Sequence, residues 1–407
     1  MRRVVITGMG IWSSIGQDLQ TVTESLREGR SGIIFDPKRI EFGLQSGLVG
    51  NVPRPELKPL LSRKFRATMS EDSEYAYMAA RQAFEHAGMS DEYLQNNEVG
   101  IIWGADNRVS EKVRIAEILH QEKSSFMLGP NALFLGETSS PSMNISSIFH
   151  LTGINLSIGA ACASSAHAIS LAATFIREGK QDVVIAGGSN EISPLGAILF
   201  DSVGALSMRN DDPYSASRPF GKGLDGFVPS GGAAAIVLEE YEHAVARNAT
   251  ILAEIIGLGF SMDGTFILDR DYRQISVAMK RALEDAKICA DKVDYINPFA
   301  TSNKYDSKWE AKALSEIYTN TNTLISSTET LTGHELDMAG SGRVVYTILM
   351  MQNDFVAPML NLENPIEEAE ELNFVTKIKH RQINIAQVNS SGSGATNCSI
   401  ILKKYEA

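Results

Sequence analysis

The stretch 154–168, INLSIGAACASSAHA, carries a short apolar run, Ile154–Ile158, into a series of small residues around one cysteine, Cys162. A run of this length closed by a glycine reads as a strand, and the Ser/Ala series after it begins a helix. At such a junction backbone N–H groups point outward, so a thiolate or an oxyanion is stabilised there. Small neighbours on both sides leave the sulfur reachable. The expectation is a nucleophilic cysteine at a strand–helix turn of an α/β fold.

Outward from this stretch the same alternation recurs, short β-branched runs followed by longer amphipathic ones. Strands are expected at Arg3–Thr7, Val99–Gly104, Ile154–Ile158, Asp182–Ala186 and Ala233–Glu239. A second series follows at Ile251–Leu258, Tyr295–Pro298, Thr323–Ser327, Gln387–Asn389 and Ser399–Lys403. Helices are expected at Ser73–Ala87, Ser164–Glu178, Gln274–Ala286, Lys308–Tyr318 and Arg343–Asn353. In the helix after Cys162, Ala168, Leu171, Ala172 and Phe175 share one face. The order of elements is similar before and after residue 245, and YEHAVARNAT (241–250) connects the halves 1–245 and 246–407. No residue-level repeat stands out between them.

The 407 residues carry 37 Lys and Arg against 49 Asp and Glu, a net charge of −12, which argues against nucleic acid as the main partner. Three scattered cysteines, Cys162, Cys289 and Cys398, form neither a disulfide framework nor a metal-type pair, and a reducing, cytoplasmic setting is expected. Cys289 and Cys398 read as packing residues. The N-terminal MRRVVITGMGIWSSIG imitates a signal peptide, but Gly8 and Gly10 interrupt it, so it reads as a first strand and glycine turn. No apolar run reaches the roughly 18 residues of a membrane span. No metal or organic cofactor motif is present.

A thiol nucleophile needs a histidine partner. Of seven histidines, His334 stands in the glycine-rich STETLTGHELDMAGSG (327–342), whereas His167, five residues after Cys162, reads as packed or outward-facing. A third block, VNSSGSGATNCSIIL (388–402), places glycines where a backbone can approach a ligand closely. Basic residues gather at Arg63, Lys64 and Arg66, with Arg209 further on; they are solvated charges or a docking face for an acidic protein.

Together these blocks resemble an elongating β-ketoacyl-ACP synthase (ketosynthase) of the thiolase superfamily, ACP being acyl carrier protein. The resemblance is carried along the whole chain by VVITGMGIWSSIG, SLREGRSGI, GAACASSAHAIS, VVIAGGSNEIS, GALSMRND with ASRPFGKGLDGF, VLEEYEHAVARNA, LTGHELDMAG and NSSGSGATN. It implies two fused βαβαβαββ-type halves in a layered αβαβα arrangement, a dimer, no cofactor, and an acyl-ACP substrate. It implies Cys162 as acyl acceptor, the N–H groups of Cys162 and Ser393 as the oxyanion hole, and His334 as one of two imidazoles that bind the malonyl thioester during decarboxylation. Arg63, Lys64 and Arg209 match positions that meet ACP. Thr301, Glu310 and Asn397 match supporting positions.

Three segments depart from that pattern. NPFATSNKYDSKWEAKAL (297–314) aligns through Asn297, Thr301, Ser302, Lys308 and Glu310, which puts Phe299 at the second histidine and Ala300 at its glycine. Phenylalanine neither donates to a carbonyl nor accepts a proton, and loss of one such donor costs about 3 kcal/mol, roughly a hundredfold in rate. Glu329 holds the place of a lysine, and near Glu310 it is expected to disfavour both a thiolate and a bound malonate. Ser391 and Ser393 replace phenylalanines that gate the acyl pocket. The expectation is a subunit that binds acyl chains at Cys162, has weakened malonyl decarboxylation, and works beside an intact ketosynthase, like a chain-length factor. The alternatives are a self-sufficient synthase with a modified site, as a homodimer, or a Cys/His acyltransferase or thioesterase.

Overall fold

A computed structural model of the chain describes residues 1–106, 109–265 and 271–406. Ten strands form its main sheet. They are β1 (Val4–Trp12), β2 (Val99–Gly104), β3 (Asn155–Ile158), β4 (Val183–Asn190), β5 (Gly232–Glu240), β6 (Ala253–Met262), β7 (Tyr295–Asn297), β8 (Leu324–Ile325), β9 (Ile385–Ser391) and β10 (Thr396–Lys404). The principal helices are α1 (Glu71–His86), α2 (Ser140–Phe149), α3 (Ser164–Arg177), α4 (Tyr272–Ala286), α5 (Lys304–Tyr318) and α6 (Ala339–Gln352). Along the chain these elements read βαβαβαββ twice.

Strand order across the sheet is β8-β7-β9-β10-β6-β1-β5-β4-β2-β3. From either edge inward the sequence is third, second, fourth, fifth and first strand of a half. In each half three strands run parallel and the last two pairings are antiparallel. The halves meet antiparallel through two residue pairs, Val5 with Glu254 and Ile6 with Ala253. Helices α3 and α6 pack on each other between the two sheet halves, while α1 and α2 cover one outer face and α4 and α5 the other. The layers are thus α, β, α, β, α.

A repeat absent from the initial reading is visible here. Gly8 and Gly10 lie within β1, so the strand continues through them rather than turning. A Cβ on Gly10 would sit 2.0 Å from the Ala79 carbonyl oxygen, and one on Gly8 2.2 Å from that of Ala83. In the second half a Cβ on Gly259 would sit 2.0 Å from the Ala278 oxygen, and one on Gly257 2.2 Å from that of Ala282. Gly-x-Gly on a first strand and alanines four apart on a first outer helix bring backbones into contact by the same device.

Several element ends shift for local reasons. Asn303 caps α5 by accepting from the amides of Tyr305 and Asp306, starting the helix four residues before Lys308. Helix α6 starts at Ala339 rather than Arg343, because Gly340 allows the backbone of Ala166 to press against it. Helix α2, with Pro141 in its first turn, was not anticipated. Helix α3 is covered from both halves of the sheet, so Ala166, Ile169, Ala173 and Ile176 are buried too, while Leu171 and Phe175 are only partly so. Among the described residues no helix is long and apolar enough to cross a membrane.

Candidate active site

Cys162 stands in a single 3-10 turn, Ala161–Ala163, between β3 and α3. Ala161 before it adopts φ +47°, and its amide donates to Asp106 Oδ2 at 2.8 Å. The turn is held tightly on its other sides. A Cβ on Gly104 would meet the Ser165 amide at 2.4 Å, and one on Gly392 the Ala160 oxygen at 2.3 Å. Gly392 thus lets the turn after β9 close over the cysteine. Cys162 is 7% exposed and borders two cavities, of about 540 and 230 Å³, and Ser393 lines both.

The larger cavity brings together Cys162, Phe299, Thr301, His334 and Ser393. His334 lies between a short helix, Glu329–Thr332, and α6; its amide donates to the Val228 oxygen at 2.7 Å. Its ring meets Phe227 edge-on at 5.3 Å and Phe299 at 5.5 Å with perpendicular planes. Its Nδ1 lies 2.9 Å from Glu329 Oε1. Burial opposes charge on this imidazole, but the Glu329 carboxylate and the Cys162 sulfur outweigh it, raising the His334 pKa to about 10.

Glu329 differs from the expectation of an uncompensated negative charge. It is buried and forms an ion pair with Arg343 on α6, itself 1% exposed. The same guanidinium donates to the Phe299 carbonyl at 3.2 Å and the Ser390 hydroxyl at 3.1 Å, and lies over the Phe299 ring at 5.2 Å. Glu310 is not aimed at the sulfur either. Its two oxygens accept from the amides of Phe299 and Ala300 at 2.8 and 2.7 Å, and burial pushes its pKa up to about 7. Both carboxylates are thus engaged within the protein, Glu329 by Arg343 and Glu310 by backbone amides.

The remaining positions separate. Thr301 donates to Asp306 Oδ2 at 3.0 Å. Ser391 is buried and donates to Asn397 Oδ1 at 2.6 Å, so it gates nothing, and Asn397 braces the turn through Ser261 and Ala395. Of the two serines expected at the gate, only Ser393 reaches the cavity. Arg63 and Lys64 are exposed on a short helix, Arg63–Arg66, and line neither cavity at Cys162, and Arg209 binds the Gly223 oxygen. His167 pairs with Thr396 Oγ1 at 3.1 Å and stacks on Phe260. Cys398 is buried beside Ser170, whereas Cys289 is exposed and packs nothing, a correction to its reading. Arg343 was missed. Its signal was a lone charge in the apolar AGSGRVVYTILMMQ.

No group of His, Cys, Asp or Glu among the described residues could hold a metal ion. A cysteine, a buried imidazole and a glycine turn around one cavity can attack and hold an acyl group. Residues 1–244 match the model of the beta-ketoacyl synthase N-terminal domain, and residues 252–363 that of the C-terminal domain. The chain is 38% identical to 3-oxoacyl-[acyl-carrier-protein] synthase 1 of Haemophilus influenzae over the full length of both. A solved beta-ketoacyl synthase from Burkholderia phymatum superposes with a TM-score of 0.94 at 32% identity, and the ishigamide ketosynthase/chain length factor with 0.92 at 25%, each covering both chains completely. With two domain models spanning most of its length and full-length relatives above 30% identity, the chain belongs to the beta-ketoacyl synthase family.

Proposed function

We propose that the chain accepts an acyl group from acyl carrier protein onto Cys162, decarboxylates malonyl-ACP poorly, and works beside an intact ketosynthase in a chain-length-factor-like role. The observation that carries this reading is Phe299, whose ring edge faces His334 on the wall of the cavity that Cys162 lines. Developing negative charge on a malonyl thioester oxygen would meet a hydrocarbon edge there in place of a second donor. Acyl capture asks less of the site, namely a nucleophile, a base and backbone donors. Cys162 and Ser393 supply the backbone donors in this reading, and Arg63, Lys64 and Arg209 the contacts to acidic ACP. A partner chain is supported by the open edge of β3, where Leu156 is 37% exposed, and by exposed Phe126, Met127 and Leu133.

Incubating the purified chain with acyl-ACP and following Cys162 by intact mass tests the first step. Addition of malonyl-ACP then tests the second, alone and beside a complete ketosynthase. Acylation without condensation by the isolated chain is expected. A second reading, the self-sufficient synthase, is favoured by the full-length similarity to 3-oxoacyl-[acyl-carrier-protein] synthase 1; efficient condensation by the chain alone would establish it.

A further inference from the structure

We infer that Glu329 is a positioning residue that turns His334 into a proton acceptor for Cys162, so that the site is built for moving acyl groups between thiols. The inference rests on the acyl-accepting reading above and assigns its chemistry. The ring atom next to Glu329 is Nδ1, at 2.9 Å. An ionised carboxylate can only accept, so Nδ1 carries a proton. In the neutral ring the lone pair then sits on Nε2, the remaining nitrogen of an imidazole that lines the cavity with Cys162. In the charged ring both nitrogens are protonated, and Nε2 donates toward the sulfur. Either way one proton is shared between Sγ and Nε2.

A lysine at position 329, as the family resemblance implies, would impose the opposite arrangement. An ammonium only donates, which leaves Nδ1 bare and puts the proton of a neutral ring on Nε2. That tautomer donates to a substrate carbonyl, as decarboxylation requires. For the neutral ring, the charge reversal at 329 therefore exchanges a donor for an acceptor on the face that meets substrate.

Arg343 makes the exchange feasible. Its guanidinium pairs with Glu329, so the buried carboxylate has a counterion within the protein. The other carboxyl neighbours are occupied elsewhere: Glu335 accepts from the Tyr346 hydroxyl at 2.6 Å, and Glu310 holds the amides of Phe299 and Ala300. Phe227 and Phe299 edge the ring and limit water around it. The step balances without another reagent. The Cys162 proton passes to Nε2 and Sγ attacks the acyl thioester carbon. The bond to the carrier sulfur breaks, and the carrier thiolate takes the proton back from the imidazolium.

Two measurements test this. The first is the 15N spectrum of histidine-labelled protein, with His334→Asn identifying the His334 signals. A protonated Nδ1 is expected, with an Nε2 signal that moves when Cys162 is alkylated; a neutral ring with bare Nδ1 and protonated Nε2 overturns the inference. The second is the pH profile of Cys162 alkylation by iodoacetamide, read by peptide mass to separate it from exposed Cys289. Glu329→Gln keeps an acceptor oxygen but loses the charge, and is expected to react about tenfold more slowly near pH 6 and to converge with the unmodified chain at high pH. Glu329→Asp should recover part of the loss. A profile unchanged in Glu329→Gln overturns the inference. Where that variant folds poorly with Arg343 unpaired, Glu329→Gln with Arg343→Met removes both charges and serves the same comparison. Failure of Cys162 to take an acyl group from acyl-ACP sinks the functional reading instead, and leaves the tautomer result standing.

Discussion

The two halves of the molecule are built alike and equipped differently. Both repeat βαβαβαββ, both order their strands third, second, fourth, fifth, first, and both press a Gly-x-Gly strand against alanines four apart on an outer helix. Yet the first half delivers one sulfur at the start of α3, while the second delivers the imidazole, the Glu329–Arg343 pair and Phe299. Backbone contact is what the two halves share. The side chains at the strand ends, which do not hold the layers together, are where the halves diverge.

The most severe way to break the comparison is to remove what the first half alone contributes. Cys162→Ala should abolish acyl loading by intact mass, with the thermal midpoint little changed because the side chain is small. Equipping the second half as the family resemblance implies is the next largest change. Phe299→His with Glu329→Lys alone would bury a lysine against Arg343. Adding Arg343→Glu restores the pairing, and the triple variant should gain tenfold or more, on the order of one oxyanion donor's worth, in condensation of acyl-ACP with malonyl-ACP. No gain in a folded triple variant would show that the three positions do not limit that step.

Smaller changes sharpen the likeness. Gly10→Ala and Gly259→Ala each force a methyl to 2.0 Å from a helix carbonyl, and should cost similar amounts, about 1–3 kcal/mol by denaturant unfolding. A marked inequality would mean that one half tolerates helix displacement better. The mildest effect concerns Glu335, whose pKa burial raises to about 8 from an ordinary value of 4.5. Between those values the folded chain holds a proton that the unfolded chain releases, so stability falls as pH rises, by at most about 1.4 kcal/mol per pH unit. Glu335→Gln keeps the acceptor for Tyr346 and should flatten that slope in unfolding measured from pH 5 to 8.

Much of this was legible in the residues. The run Val99–Gly104 is a strand over that very span, and the Cys162 turn and His334 stand where small residues and glycines pointed. The repeat escaped because its shared residues are glycines and alanines at contact spacing, too common to register without the geometry that needs them. Strands β1 and β6 were cut short for the same reason, since glycine reads as a turn until a helix is seen lying on it. The pairing of Glu329 with Arg343 escaped because fourteen residues and a change of element separate them. Charge reversal is visible in a sequence; its counterion is a matter of packing.

Residues 299 to 302 hold one last consequence. Ala300 adopts φ +29°, where an ordinary side chain is disfavoured by about 1–2 kcal/mol, yet Glu310 clamps the amides of Phe299 and Ala300, one on each side of the Phe299 α-carbon. The path of the chain is therefore dictated from behind, by a carboxylate on α5, and not by whatever projects into the cavity at 299. The segment works as a socket with a fixed rim, and the plug at 299 can be exchanged without recutting it.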